Sequence, residues 1–330
     1  MERILVIQTA SLGDAILSTA LIESLHKSLP ATRIDILVKK GHETLFTGHP
    51  FLNQTLAWDK SSGKIRNFSR LLRQTRSGNY HLIVNIQRFF LTGLLTALGG
   101  SRETRGFVKN PLSFFFTHRY RHDIGNNTHE TGRNHQLVSD LTGPECSAPR
   151  LYPTPGDEQA IAGLVRGAFY TISPGSLWYT KQLPAEKWIG LVRQVSRNDR
   201  VYLLGSFSEG ELCSRIAAAS GHPGTVSLAG RLTLLQSAAL MSRARMNFTN
   251  DSAPMHLASA VNAPVTAVFC STIPAFGFGP LSERSHIVEV PDSLACRPCG
   301  LHGYTSCPEN HFRCGTGITV DQLAQQLGPA

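Results

Sequence analysis

The 330-residue chain lacks an apolar run of the roughly 20 residues that a membrane-spanning helix needs. It opens on "MERILVIQ", which passes straight into a strand-like run, so no signal peptide is expected. No G-x-G-x-x-G follows any strand-like run, which argues against a dinucleotide fingerprint, and no G-x-x-x-x-G-K-[ST] exists to make a P-loop. H-E-x-x-H and G-x-S-x-G are missing as well, which weakens the zinc-protease and α/β-hydrolase readings. Short-period repeats and low-complexity tracts are not found. Acidic residues are in short supply: 23 Asp and Glu stand against 32 Lys and Arg, a net charge of +9. That excess points to an anionic partner such as a phosphate, an acidic lipid or nucleic acid, though it serves solubility equally. A nucleic-acid partner is disfavoured, since no recognised module and no interleaving of basic and aromatic residues is found. A soluble cytoplasmic chain that touches a membrane surface is the expectation.

What is present is an alternation. The runs "RILVIQ", "RIDILV", "TLAW" and "HLIVNIQ" are short, apolar and rich in β-branched residues. Helix-like stretches lie among them: "DAILSTALIESLHKSL", "IRNFSRLLRQTR" and "FFLTGLLTALGG". Such alternation reads as βαβ units around a parallel sheet. "GPECSAPRLYPTPGDE" is rich in proline, glycine and small residues and reads as a linker. A second series follows, "FYTISPG", "RVYLLGS", "TVSLAG", "MNFTND" and "PVTAVFC", with helical segments between. At about 150 residues per domain the length allows two domains, placed at 1–150 and 151–318. A last helix, "TVDQLAQQL", lies within 319–330.

In an α/β sheet the carboxyl ends of the strands carry the chemistry. After the first strand comes "TASLGDAILSTALIESL", in which Gly13 and Asp14 enter a helix that Ser11 or Thr9 alone would cap. "SPGSLWYTKQLP" offers Ser173, Gly175, Ser176 and Lys181. "LLGSFSEGE" offers Gly205, Ser206, Glu209 and Glu211. "NFTNDSAPMHLASA" offers Asn250, Asp251, Ser252 and His256, with Asp251 and Ser252 as caps of a helix near Pro254. The exposed N–H groups of such a helix start suit a phosphate. A carboxylate beside a diphosphate would repel it, so Asp251 is read as meeting hydroxyls or orienting donors. The plain alternative is that Asp251 only caps and His256 only packs.

Together the motifs "ILVIQTASLGDAILSTALIESL", "SPGSLWYTKQLP" and "NDSAPMHLASAVNAPVTAVF" resemble glycosyltransferase family 9, the lipopolysaccharide heptosyltransferase family. The resemblance runs over nearly the whole chain. It implies an α/β chain of the GT-B fold, two Rossmann-like domains facing across a cleft, the first for the acceptor and the second for the nucleotide-sugar donor. It implies a final helix that packs back on the first domain. The implied reaction is an inverting transfer, most simply of heptose from ADP-heptose to an anionic glycolipid acceptor of the lipopolysaccharide core, without a catalytic metal. Carried onto this chain, Asp14 is the general base, with Ser11 and Gly13 shaping the acceptor loop. Lys181 and Ser176 hold the diphosphate, Glu209 the ribose and Leu232 the base. Glu211 competes with Glu209 for that role. Asp251, Ser252 and His256 complete the donor site. Where many relatives have Asp-Thr-Gly, this chain has Asp251-Ser252-Ala253. The enzyme would work peripherally at the inner face of the cytoplasmic membrane. Another nucleotide-sugar enzyme of the same fold, such as an epimerase, or a non-catalytic glycan-binding relative are the alternatives.

Arg66, Arg70 and Arg73 recur at i, i+4 and i+7 on one helix face, where they would hold the acceptor's anionic sugars or acidic headgroups. Arg102, Arg105, Lys109, Arg119 and Arg121 form a second basic group. "CRPCGLHGYTSCPENHFRC" places Cys296, Cys299, Cys307 and Cys314 within nineteen residues. Four thiols at such spacing read as a structural Zn or Fe site, as free thiols, or as disulfides, the last a poor fit to a reducing cytosol. His302 and His311 are substitute ligands.

Overall fold

The computed structural model describes residues 2–61 and 63–328. Residues 329 and 330, the end of the expected closing segment, lie outside that range. The chain divides into two units, Met1–Tyr152 and Pro153–Ala330.

The first unit is built on one parallel sheet of β1 (Arg3–Gln8), β2 (Arg33–Lys39), β3 (Leu52–Trp58), β4 (Leu82–Asn85), β5 (Glu103–Phe107) and β6 (His118–Tyr120). Their order across the sheet is β3-β2-β1-β4-β5-β6. Ile4 through Ile7 are all buried, as helices covering both faces of a parallel sheet demand. The second unit repeats the plan with β7 (Phe169–Ser173), β8 (Arg200–Leu203), β9 (Thr225–Ser227), β10 (Asn247–Asn250), β11 (Val265–Phe269) and β12 (Ser285–Glu289). Their order is β12-β11-β10-β7-β8-β9. In each unit the first strand is central, with the next two on one side and the last three on the other. That is the Rossmann winding, and its direction reverses between β1 and β4 and between β7 and β10, the crevices where such sheets bind ligands.

Three details differ from the sequence reading. The single helix expected after β1 is two, Leu12–Leu17 and Thr19–Ser28, parted at Ser18, whose hydroxyl bonds back to the Ala15 carbonyl. Strands β5, β6 and β12 were not anticipated. Arg105, counted with a ligand-facing basic group, lies buried in β5 and is tied to Glu103, Asp140 and the Leu137 carbonyl. A guanidinium so engaged holds the sheet edge and is withdrawn from any ligand.

The linker begins by fastening to the first unit. Ser147 N–H donates to Ser24 Oγ, Arg150 N–H to Thr19 Oγ1 and the Tyr152 hydroxyl to Glu23. Thr154 and Asp157 then form a capping box that starts the helix Pro155–Ile161. The closing helix, Val320–Ala324, was expected on the first domain. Within its own unit, Leu323 is in the core and Val320 lies against Gly190. No helix among the described residues is long and apolar enough to cross a membrane.

Candidate active site

Each unit carries a half-site at its reversal of winding. In the first, β1 ends at Gln8 and the chain turns at Ser11, which is extended (φ −69°, ψ 167°) and caps the helix Leu12–Leu17. Ser11 and Asp14 form a reciprocal capping box. Asp14 Oδ2 accepts from the Ser11 N–H at 3.2 Å and the Ser11 hydroxyl at 2.6 Å. Ser11 was thus the expected cap, and Asp14 also serves the helix start through one carboxylate oxygen. Asp14 is half-buried, and Gly13 is buried inside the first turn rather than in a loop.

Polar groups from other strand ends gather beside it. Lys60, just after β3, donates to the carbonyl of Thr9 at 3.1 Å and to its hydroxyl at 2.9 Å. Its ammonium lies over the Trp58 ring at 4.9 Å and the Phe89 ring at 5.8 Å. Burial pushes its pKa down, and Lys39 adds to the shift. Beyond β4, Gln87 donates to Gln8 Oε1, which also accepts from the Ala10 N–H. Gln87 Oε1 is buried and has no partner among the described residues. The sequence reading passed over Gln8, Lys60 and Gln87. The available signal for the two glutamines is that each closes a mainly apolar run, "RILVIQ" and "HLIVNIQ", and Lys60 has no such signal. Arg66, Arg70 and Arg73 do share a face of the helix Lys64–Ser77. All three line one surface hollow of about 430 Å³ with Gly63 and Asn67.

In the second half-site, Lys181 ends a short 3-10 turn after β7, and its ammonium pairs with Asp251 at 2.7 Å. The Thr272 hydroxyl donates to the same carboxylate at 2.6 Å. Asp251 therefore orients a cation instead of capping a helix. Ser252 is the N-cap residue of the helix Ala253–Ala260 but makes no side-chain cap bond, which leaves the N–H end uncovered by its own cap. Pro254 is in the first turn, and His256 is buried just after it. Asn250, at the end of β10, donates to the Pro174 and Gly175 carbonyls and accepts from the Leu183 N–H, which fixes the loop after β7. Ser176 is half-buried in that loop, its carbonyl held by Gln182.

Glu209 and Glu211 separate clearly. Glu209 forms a capping box with Ser206 after β8, and its carboxylate fills the space where a Cβ on Gly175 would lie. Glu211 is exposed on the following helix. Leu232 is half-buried, one residue before Thr233, the N-cap of the helix Leu234–Arg243.

The cysteine-rich segment belongs to this half-site, which the sequence reading missed. The Thr180 hydroxyl accepts from the Tyr304 N–H at 2.8 Å and from the Ser271 hydroxyl at 3.0 Å. Cys299 N–H donates to the Ser271 carbonyl. Gly303 (φ +78°) passes so close to Thr180, Lys181 and Ser271 that both its conformation and its lack of a side chain are required. Arg297 ties the segment to the Phe269 and Thr272 carbonyls and to Glu289. All seven cysteines are free thiols, so the disulfide alternative is not realised. The Cys314 thiol is pushed up to about 11, first by burial and then by Cys299 and Cys307. Cys299 is raised by burial and then by Cys296 and Cys307. The four thiols thus gather, yet among the described residues no three such side chains stand in metal-binding geometry. Cys296 Sγ lies 3.9 Å from His311 Nε2.

Comparison with known proteins follows the same lines. The model of glycosyltransferase family 9 (heptosyltransferase) matches residues 68–302. Lipopolysaccharide heptosyltransferase 1 of Pseudomonas aeruginosa is 26% identical, over 98% of this chain and 97% of that protein. Lipopolysaccharide heptosyltransferase 3 of Escherichia coli is 27% identical, over 79% of this chain and 81% of that protein. The fold matches the solved structure of the Escherichia coli ADP-heptose lipopolysaccharide heptosyltransferase II with a TM-score of 0.82, at 21% identity, covering 99% of this chain and 97% of that one.

Proposed function

Because the chain belongs to glycosyltransferase family 9, the heptosyltransferases, we propose that this glycosyltransferase moves a heptose from ADP-heptose to a lipopolysaccharide inner-core acceptor. The names of its relatives, lipopolysaccharide heptosyltransferases and an ADP-heptose enzyme, supply the sugar and the acceptor class. The observation that carries the reading onto this chain is the Lys181–Asp251 pair at the second winding reversal, beside an uncapped helix N-terminus.

In this reading the acceptor hydroxyl attacks the anomeric carbon and gives its proton to Asp14. The new C–O bond forms as the bond to the diphosphate breaks, in one displacement that inverts the centre. ADP departs with added negative charge. The Lys181 ammonium, aimed by Asp251, and the N–H end of the helix Ala253–Ala260 meet that charge. Ser176 adds a hydroxyl to the phosphates, Glu209 takes ribose hydroxyls, Leu232 lies on the base, and Ser252 and His256 close the site. Ser11 and Gly13 shape the helix start beside the acceptor, and Arg66, Arg70 and Arg73 hold its anionic groups. The reaction uses no metal. If Cys296, Cys299, Cys307 and Cys314 hold a structural Zn or Fe, the purified protein should carry about one equivalent by elemental analysis. A metal-free protein with four titrating thiols in the segment would end that part of the reading.

A thermal-shift screen of nucleotide sugars tests the donor. A ligand at 100 times its Kd stabilises by about 2.7 kcal/mol, so ADP-heptose should raise Tm where UDP- and GDP-sugars do not. Mass spectrometry of an inner-core acceptor after incubation should then show one added heptose. Release of an isomerised free nucleotide sugar, with the acceptor unchanged, would mark an epimerase and overturn the reading.

A further inference from the structure

The first unit exposes aromatic residues where a monomeric soluble surface would hide them. Phe89 and Phe90, at the start of the helix Phe90–Leu98 beyond β4, are 47% and 53% exposed, and Phe114 and Phe115, beyond β5, are 63% and 61% exposed. Val108 between them is half exposed. The two segments that carry them are joined. Asn110 donates to the Gln87 and Phe89 carbonyls, Ser113 bonds back to Asn110 and Val108, and Gly93 packs so closely on Asn110 that no side chain fits. The Phe114 and Phe115 rings lie 4.2 Å apart. Helix and loop are thus bolted together, and the four rings are presented from a rigid base.

The charge around the patch has one sign. Arg88 stacks on Phe89, and Lys109, Arg119 and Arg121 are exposed on the segment that carries the other two rings. Across residues 82–122 the one acid is Glu103, which pairs with Arg105 and His118. An exposed apolar patch of this kind marks an interaction surface. A second copy of the chain would bring the same cations face to face without acids to match them. Aromatic side chains rimmed by lysine and arginine instead suit the headgroup layer of an anionic bilayer.

We propose that this patch docks the enzyme on an anionic lipid bilayer, with the phenylalanines in the headgroup region and the arginines and lysine on lipid phosphates. The proposal rests on the reading above only for its purpose. Gln8, Gln87 and the loop of Asp14 lie at the same carboxyl edge of the first sheet, so docking there brings the half-site to the sugar of a lipid-anchored acceptor.

Co-sedimentation with vesicles of phosphatidylglycerol and phosphatidylethanolamine, against pure phosphatidylcholine, tests it on the whole protein. Wild-type protein should bind the anionic vesicles and release in high salt. Phe114→Ser with Phe115→Ser should lose partitioning by about a hundredfold, since each buried ring contributes roughly a factor of ten. Arg88→Ala with Lys109→Ala should weaken binding and reduce its salt dependence. Transfer to a delipidated acceptor in solution should be unchanged in the Phe114/Phe115 variant, which also shows it folded. Equal binding by wild type and the phenylalanine variant, or no binding by wild type, overturns the proposal. So does a wild-type dimer that the variant dissociates, which would make the patch a self-association face. Failure of transfer by the wild type in solution would count against the proposed reaction and leave the vesicle result standing.

Discussion

Asp14 shows how one side chain serves fold and chemistry together. Its Oδ2 completes a capping box with Ser11, an arrangement whose loss costs about 1 kcal/mol. Asn can still accept through its amide oxygen, so Asp14→Asn should leave the Tm within a few degrees. It cannot take a proton from an acceptor hydroxyl. Turnover should fall by roughly 10²–10⁴ with ADP affinity kept; near wild-type turnover would remove Asp14 from the role of base. Lys181 is the complementary case. Lys181→Ala should weaken ADP binding and leave adenosine binding nearly unchanged, measured by calorimetry. The variant also strands Asp251, which is buried and then holds only Thr272, so a loss of Tm is expected beside the loss of affinity. Equal losses for ADP and adenosine would mean that Lys181 does not read phosphate.

At the scale of elements, the cysteine-rich segment is the one whose role changed most. By composition it looks like an appendage whose loosening would spare the donor residues. In the structure it lies on the residue before Lys181, held through Thr180 and Ser271. Thr180→Val keeps the volume but leaves the Tyr304 N–H and the Ser271 hydroxyl short of an acceptor, at roughly 1–3 kcal/mol for buried groups. The segment should detach locally, and ADP affinity should fall by about tenfold. Hydrogen exchange should show lost protection around Tyr304 in the same variant. An unchanged ADP affinity with a lowered Tm would confine Thr180 to stability.

For the molecule as a whole, the pH response of stability follows from a group far from the chemistry. His49 is buried in the first unit near Glu23 and Tyr152, and burial, with His26 adding, holds its pKa down to about 4 against the usual 6.5. Between those values the unfolded chain binds a proton that the folded chain refuses. Stability attached to His49 is therefore fully present above about pH 6.5 and is lost as pH falls toward 4. His49→Phe should flatten the decline of Tm over that window. An equally steep decline in the variant would assign it to other imidazoles that burial holds down, such as His42 and His135.

By itself the sequence determined the two parallel sheets and the half-sites' position along the chain. Buried parallel strands must be continuously apolar, so "RILVIQ" and "PVTAVF" announce themselves, and a polar residue at the end of such a run has no other place than the carboxyl edge. Asp14, Lys181 and Asp251 stand out because each follows such a run, and their roles came from the family resemblance. What only the tertiary structure decided are the partnerships. Lys181 meets Asp251 seventy positions away, Gly175 seats Glu209 and so separates it from Glu211, and Arg105 is drawn inward by Asp140. Strands β6 and β12 escaped because they lie at an edge, where a solvated face breaks the apolar run, and β5 because its buried residues include Thr104, Arg105 and Gly106, which do not read as apolar. Pairings of this kind depend on which strands become neighbours. No local period records that, because the register and order of a parallel sheet are set by contacts between segments distant in sequence.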